Sequence, residues 1–139
     1  MTRYRTLLAA FAALMVVPIT HASRGIPGAS GTVFVTERQF GSATAYDAAS
    51  GEVQWTAAVG ASPIGIVQPH GTDKVYTSDE GPDQLTVLDR RTGARLGTIP
   101  TGPDPHHLNA SSDGDVIYVA EFGRNTIGVI DTSLDLRVA

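Results

Sequence analysis

The feature that most limits what this chain can fold into is a gapless repeat of 42 residues, marked by Asp47, Asp89 and Asp131. The same offset joins Gly60 to Gly102, Pro63 to Pro105, and Gly51 to Gly93. It also aligns Val33-Phe34-Val35 with Val75-Tyr76-Thr77 and with Ile117-Tyr118-Val119. A sequence period of this length marks one supersecondary unit that buries its apolar faces only by stacking against its neighbours.

Each copy reads as short strands separated by turns. Val33 to Glu37, Val75 to Asp79 and Ile117 to Glu121 are β-branched and aromatic runs. A turn follows in each copy, and then a strand ending in Ala45-Tyr46-Asp47, Val87-Leu88-Asp89 or Val129-Ile130-Asp131. The hairpin after it carries Ser50-Gly51 or Thr92-Gly93, where the Asp accepts bonds from turn amides and Gly takes a positive φ. Leu134-Asp135 replaces Thr-Gly in the third copy, so its hairpin is expected to differ. Outer strands follow at 52–59 and 94–99, and a Gly-x-x-Pro link leads into 64–68 or 106–110. The 15 Gly and 8 Pro punctuate these turns. Four strands per repeat, with no helical periodicity, predict an all-β fold: a partial β-propeller of four-stranded antiparallel blades, at about 32–60, 63–102 and 105–139.

The third copy carries a family resemblance as well. Pro105-His106-His107-Leu108-Asn109-Ala110-Ser111-Ser112-Asp113-Gly114, then Ile117-Tyr118-Val119-Ala120-Glu121 and Val129-Ile130-Asp131, resembles the YVTN repeat of YncE-like β-propellers. Ser112-Asp113-Gly114 lacks the usual Pro, and Ala120-Glu121 stands where Thr-Asn is customary. The resemblance covers roughly 31–139 and implies the propeller fold; it implies no single activity, because such repeats serve surface proteins and enzyme scaffolds alike.

Residues 1–22 read as a cleaved secretory signal: Arg3 and Arg5, the apolar run Leu7 to Val17, Pro18, and small residues at Thr20 and Ala22. The apolar run is 11 residues, short of the ~20 that span a bilayer, so no stable membrane span is expected. Residues 23–31 form a linker. The destination is periplasmic or extracellular, and with no Cys the fold has no disulfide to rely on. One Lys, nine Arg and a net charge of −4 form no basic stripe and argue against a nucleic-acid partner.

A closed ring needs about four to eight blades. The first copy lacks an innermost strand before Val33, and the third stops in its outermost strand. The remaining blades are therefore expected from a longer chain or from self-association.

Turns on one face of such a blade commonly meet ligands. Glu37, Asp79 and Glu121 recur there at 42-residue spacing, with His106 and His107 opening the third inner strand and Arg124 in the adjoining turn. These six are the candidate ligand-binding residues. One reading is a ring of carboxylates and imidazoles holding a divalent metal or a cationic ligand. The other is that a repeated acid caps a turn or pairs with Arg on a neighbouring blade. His106 and His107 replace Ile64 and Gly65 of the preceding copy, so the scaffold does not demand them. Adjacent strand residues point to opposite faces, so the two cannot chelate one ion without a bulge. No complete catalytic set is present, and neither cofactor nor metal can be assigned. The favoured function is a non-catalytic scaffold binding a small molecule or a protein. The alternative is a lactonase-like or quinoprotein-dehydrogenase-related enzyme or subunit, with Glu37, Glu121 and His107 as metal ligands or bases.

Overall fold

The computed structural model describes residues 28–139, so the signal at 1–22 and the first part of the linker lie outside the described residues. Eleven strands form three antiparallel sheets. The first holds β1 (Thr32–Glu37), β2 (Ser42–Asp47) and β3 (Val53–Ala58). The second runs β4 (Pro63–Val67), β5 (Lys74–Asp79), β6 (Gln84–Asp89) and β7 (Arg95–Pro100). The third repeats that order with β8 (Pro105–Ala110), β9 (Val116–Glu121), β10 (Thr126–Asp131) and the short β11 (Leu136–Arg137). Neighbours in sequence are neighbours in each sheet, which is the meander of a propeller blade.

The middle blade shows why these residues make strands. Alternate side chains leave a strand on opposite faces, and both faces of this sheet are covered. Val75 and Leu88 pack with Ala43, Ala45 and Trp55 of the first blade. Tyr76, Leu85, Val87 and Ile99 pack with Ile117, Val119 and Ile130 of the third. Val75 to Asp79 and Leu85 to Leu88 are therefore buried continuously, as expected of a sheet enclosed on both sides. Burying each large aliphatic side chain contributes roughly 1.5–3 kcal/mol. Trp55 completes the first interface: its Nε1–H donates to Arg90 O at 3.0 Å. Its ring lies so close to Gly93, at φ 72°, that a Cβ there would come within 2.7 Å of it.

At the flanks the same repeat positions stand open. Tyr118 and Ile127, one repeat beyond Tyr76 and Leu85, are 47% and 66% exposed, against 0% for both of their counterparts. Val33, one repeat before Val75, is 49% exposed.

The hairpins correct one expectation. Asp47, Asp89 and Asp131 all accept from the two turn amides that follow, at 2.7–3.0 Å. The third hairpin is thus the same turn as the other two. Asp135 adopts the positive φ of 51° that Gly51 and Gly93 adopt at 73° and 72°. It is held there from the middle blade, where Tyr76 Oη donates to its Oδ1 and Lys74 Nζ to its Oδ2, both at 2.6 Å. Burial, and then the Asp135 carboxylate, push the Tyr76 hydroxyl well above its ordinary range. The repeat pattern alone does not show this, because the cost of a left-handed Asp is offset from another repeat.

The two flanks also make a prediction. Leu85→Ala should destabilise the monomeric chain by about 2–5 kcal/mol. Ile127→Ala, one repeat later, should cost no more than about 0.5 kcal/mol. Urea unfolding of both variants at high dilution measures the contrast.

Candidate functional site

The turns between β5 and β6 and between β9 and β10 meet the links between blades on one rim. Glu80 and Gly81 amides donate to Ser62 and Ala61 carbonyls, and Phe122 and Gly123 amides donate to Asp104 and Pro103 carbonyls. The three repeated acids and the His pair lie along this rim, but the structure treats them differently.

Asp79 is fully buried. Its Oδ2 accepts from the Gly60 amide at 3.1 Å and Thr86 Oγ1 at 2.5 Å, and its Oδ1 accepts from Thr77 Oγ1 at 2.9 Å. Glu121 is 1% exposed. Its Oε1 accepts from the Gly102 amide at 2.7 Å, and its Oε2 accepts from Thr126 Oγ1 at 2.9 Å and Arg137 Nη2 at 3.1 Å. Glu37 is half-buried and accepts from Ser42 Oγ at 2.5 Å and Thr44 Oγ1 at 3.1 Å. The acids of the second and third blades thus cap the glycine amide of the preceding link. Neither glycine has room for a side chain: a Cβ at Gly60 would sit 2.6 Å from Asp79 Cβ, and one at Gly102 would meet the Glu121 carboxylate.

Sequence reasoning missed this pairing of acid with glycine. Its signal was present, since Gly60 and Asp79 are separated by 19 residues, as are Gly102 and Glu121. A compensation also went unread. Thr86, which bonds Asp79, has Gly128 as its counterpart, and a Cβ at Gly128 would lie 2.5 Å from Glu121 Oε1. In the third blade the longer Glu121 leaves no space for a side chain at 128, whereas Glu37 of the first blade keeps Thr44 beside it.

His106 and His107 are half-buried and exposed respectively. The β8–β9 register slips between Pro105 and Leu108, as it does between Pro63 and Ile66 one repeat earlier. The two imidazoles come together, Nδ1 to Nδ1 at 2.9 Å, so the opposite-face rule for adjacent strand residues fails here. His106 also packs on Phe122, ring centroids 4.9 Å apart. Arg124, in the same turn as Phe122, is exposed. A cavity of about 330 Å³ opens beside His107, walled by Leu108, Asn109, Tyr118, Ala120 and Ile127. The structure therefore brings His106 and His107 together and spreads the three acids over three separate blades. Among the described residues no three His, Cys, Asp or Glu side chains converge as a metal site, and no helix is long and apolar enough to cross a membrane.

Three stacked antiparallel meanders, one of three strands and two of four, latched by repeated acid–glycine bonds, define a β-propeller repeat protein. The chain belongs to the family described as outer membrane protein assembly factor BamB, whose model matches residues 13–132. No curated protein matches. Among solved structures, it is similar to Kuenenia stuttgartiensis hydrazine synthase, with TM-score 0.71 and 28% identity over 77% of this chain and 31% of that one. It is also similar to a Bacteroides fragilis protein described as a 6-phosphogluconolactonase, with TM-score 0.67 and 19% identity over 76% of this chain and 33% of that one. BamB from Moraxella catarrhalis matches with TM-score 0.61 and 20% identity over 83% of this chain and 34% of that one. The last two share the fold. The chain spans about a third of the length of the solved chains it matches.

The acids have opposite consequences for pH dependence. Burial raises the Asp79 pKa above the ordinary 3.8, against the opposing bonds from Thr86, Thr77 and Gly60. A raised folded pKa means that its contribution is full below the unfolded pKa and is lost as pH rises through the folded one. Hydrogen bonds from Thr92, Arg91 and their counterparts hold Asp89, Asp47 and Asp131 below the ordinary value, so their contribution is lost as pH falls. Wild type should therefore gain stability relative to Asp79→Asn on acidification from neutral pH through 3.8, and lose it relative to Asp89→Asn. Urea midpoints across that range test both signs.

Proposed function

We propose that the chain is part of an exported, non-catalytic propeller scaffold that binds a small molecule or a partner protein on the rim described above. The observation that carries this reading is positional. Side chains buried between blades in the middle of the chain recur 42 residues away as exposed apolar faces, so these blades are shaped to stack against further ones. Those further blades come from a longer chain with the same repeat or from a second copy. The family description, an assembly factor, supports a protein partner. The N-terminal charge and hydropathy pattern supports export to the periplasm or beyond. The Tyr118-Val119 and Val129-Ile130-Asp131 segments, paired on β9 and β10, support a YVTN, YncE-like repeat subtype. No nucleic-acid partner enters this reading, given the acidic charge balance.

Of the six candidate residues, His106, His107 and Arg124 remain the rim groups available to a ligand. Glu37, Asp79 and Glu121 serve chiefly to fix turns and links. A second, enzymatic reading is favoured by the similarity to hydrazine synthase and to the lactonase-described protein. It requires Glu121 to leave the Gly102 amide, Thr126 and Arg137 before it could serve as a metal ligand or base beside His107.

Exposed apolar faces of this kind drive association. The chain alone should self-associate in sedimentation velocity, and Val33→Asp with Ile127→Asp should return it to a monomer with an unchanged β-sheet circular dichroism spectrum. A wild-type chain that stays monomeric at every concentration would contradict the stacking role of these faces.

A further inference from the structure

The contact between His106 and His107 is fixed from three sides. The strand slip between Pro105 and Leu108 turns both rings to one side. Ser78 Oγ donates to the His106 carbonyl across the blade boundary. Gly65, the counterpart of His107, approaches so closely that a Cβ there would lie 2.7 Å from that same carbonyl oxygen. Phe122 then limits rotation of the His106 ring. The backbone beneath the pair is thus held by the middle blade.

Two neutral imidazoles in Nδ1-to-Nδ1 contact share one hydrogen: one ring donates and the other accepts. We propose that this pair is a bidentate site for a tetragonal divalent metal ion, Cu(II) in preference to Zn(II), bound through both Nδ1 atoms. At 2.9 Å the two Nδ1 atoms are close enough for one ion to reach both once their lone pairs turn toward it. Imidazole suits copper, and Cu(II) heads the affinity order of the first-row divalent ions.

Binding leaves the proton count unchanged. The donor ring moves its hydrogen from Nδ1 to Nε2, and each ring turns its Nδ1 lone pair from its neighbour to the shared ion. No third His, Cys, Asp or Glu converges on the pair among the described residues. Water or an incoming ligand therefore fills the remaining positions, which in the chain alone the exposed His107 leaves open to solvent. The site depends on the local geometry of β8 and is independent of whether the propeller acts as scaffold or enzyme.

The test is Cu(II) titration of the purified full chain at neutral pH, followed by calorimetry and electron paramagnetic resonance. The expected result is a tetragonal spectrum with nitrogen splitting from two imidazoles, and tighter binding of Cu(II) than of Zn(II). His106→Asn and His107→Asn should each weaken that binding by about 100-fold, because one imidazole loses the gain of chelation. His70→Asn, at an exposed turn, should leave it unchanged. A one-nitrogen spectrum for wild type, a Zn(II) preference, or wild-type affinity in both β8 variants would overturn the proposal. The wild-type spectrum decides the matter even if a variant fails to fold.

Discussion

The blades depend on a buried carboxylate that receives the backbone amide of the link before it. A link between blades must turn sharply, and its amide has no strand partner. Left unsatisfied in a dry environment, that donor would cost about 1–3 kcal/mol. Asp79 and Glu121 satisfy it from the neighbouring strand end, and the glycine requirement at 60 and 102 follows from how close each acid must come. Each latch ties the end of one blade to the second strand of the next, which sets how the two sheets stack.

Once the stacking is set, the packing follows. The middle sheet is buried on both faces, so its strands lose the polar–apolar alternation of a half-exposed sheet and become continuously apolar or satisfied polar. Trp55 against Gly93 and Tyr76 against Asp135 then lock the outer and hairpin sides of the two interfaces. The latch also tolerates exchange within limits. Where the acid lengthens from Asp79 to Glu121, the neighbouring Thr86 becomes Gly128, and Arg137 joins as a further donor.

The fold was legible in the sequence because a strict period needs no knowledge of tertiary contacts. Asp47, Asp89 and Asp131 marked the hairpins, and the strands they end fell within a residue or so of the observed ones. The site was less legible because its geometry is made between repeats. The exchange of Gly51 and Gly93 for Asp135 looked like a change of turn, whereas Lys74 and Tyr76 hold the same turn from another blade. Strand alternation separates the His pair only where there is no bulge, and the slip between Pro105 and Leu108 supplies one. Pro63 and Pro105 at equivalent strand starts were the available sign of that slip, since proline withholds a ladder donor. The acids recurred because the link amide recurs, so their periodicity alone could not separate a binding ring from a row of caps.

The division of the rim into structural acids and accessible imidazoles therefore rests on the latch. Amide hydrogen exchange at Gly60 and Gly102 tests it most directly, in wild type and in Asp79→Ala and Glu121→Ala. The account predicts that both amides in wild type exchange only with opening of the blade interface, as slowly as the amides of β5 and β6. It also predicts that each substitution releases the glycine paired with it and leaves the other protected. Exchange of Gly60 and Gly102 in wild type at the rate of an exposed loop would contradict the central role given to these bonds.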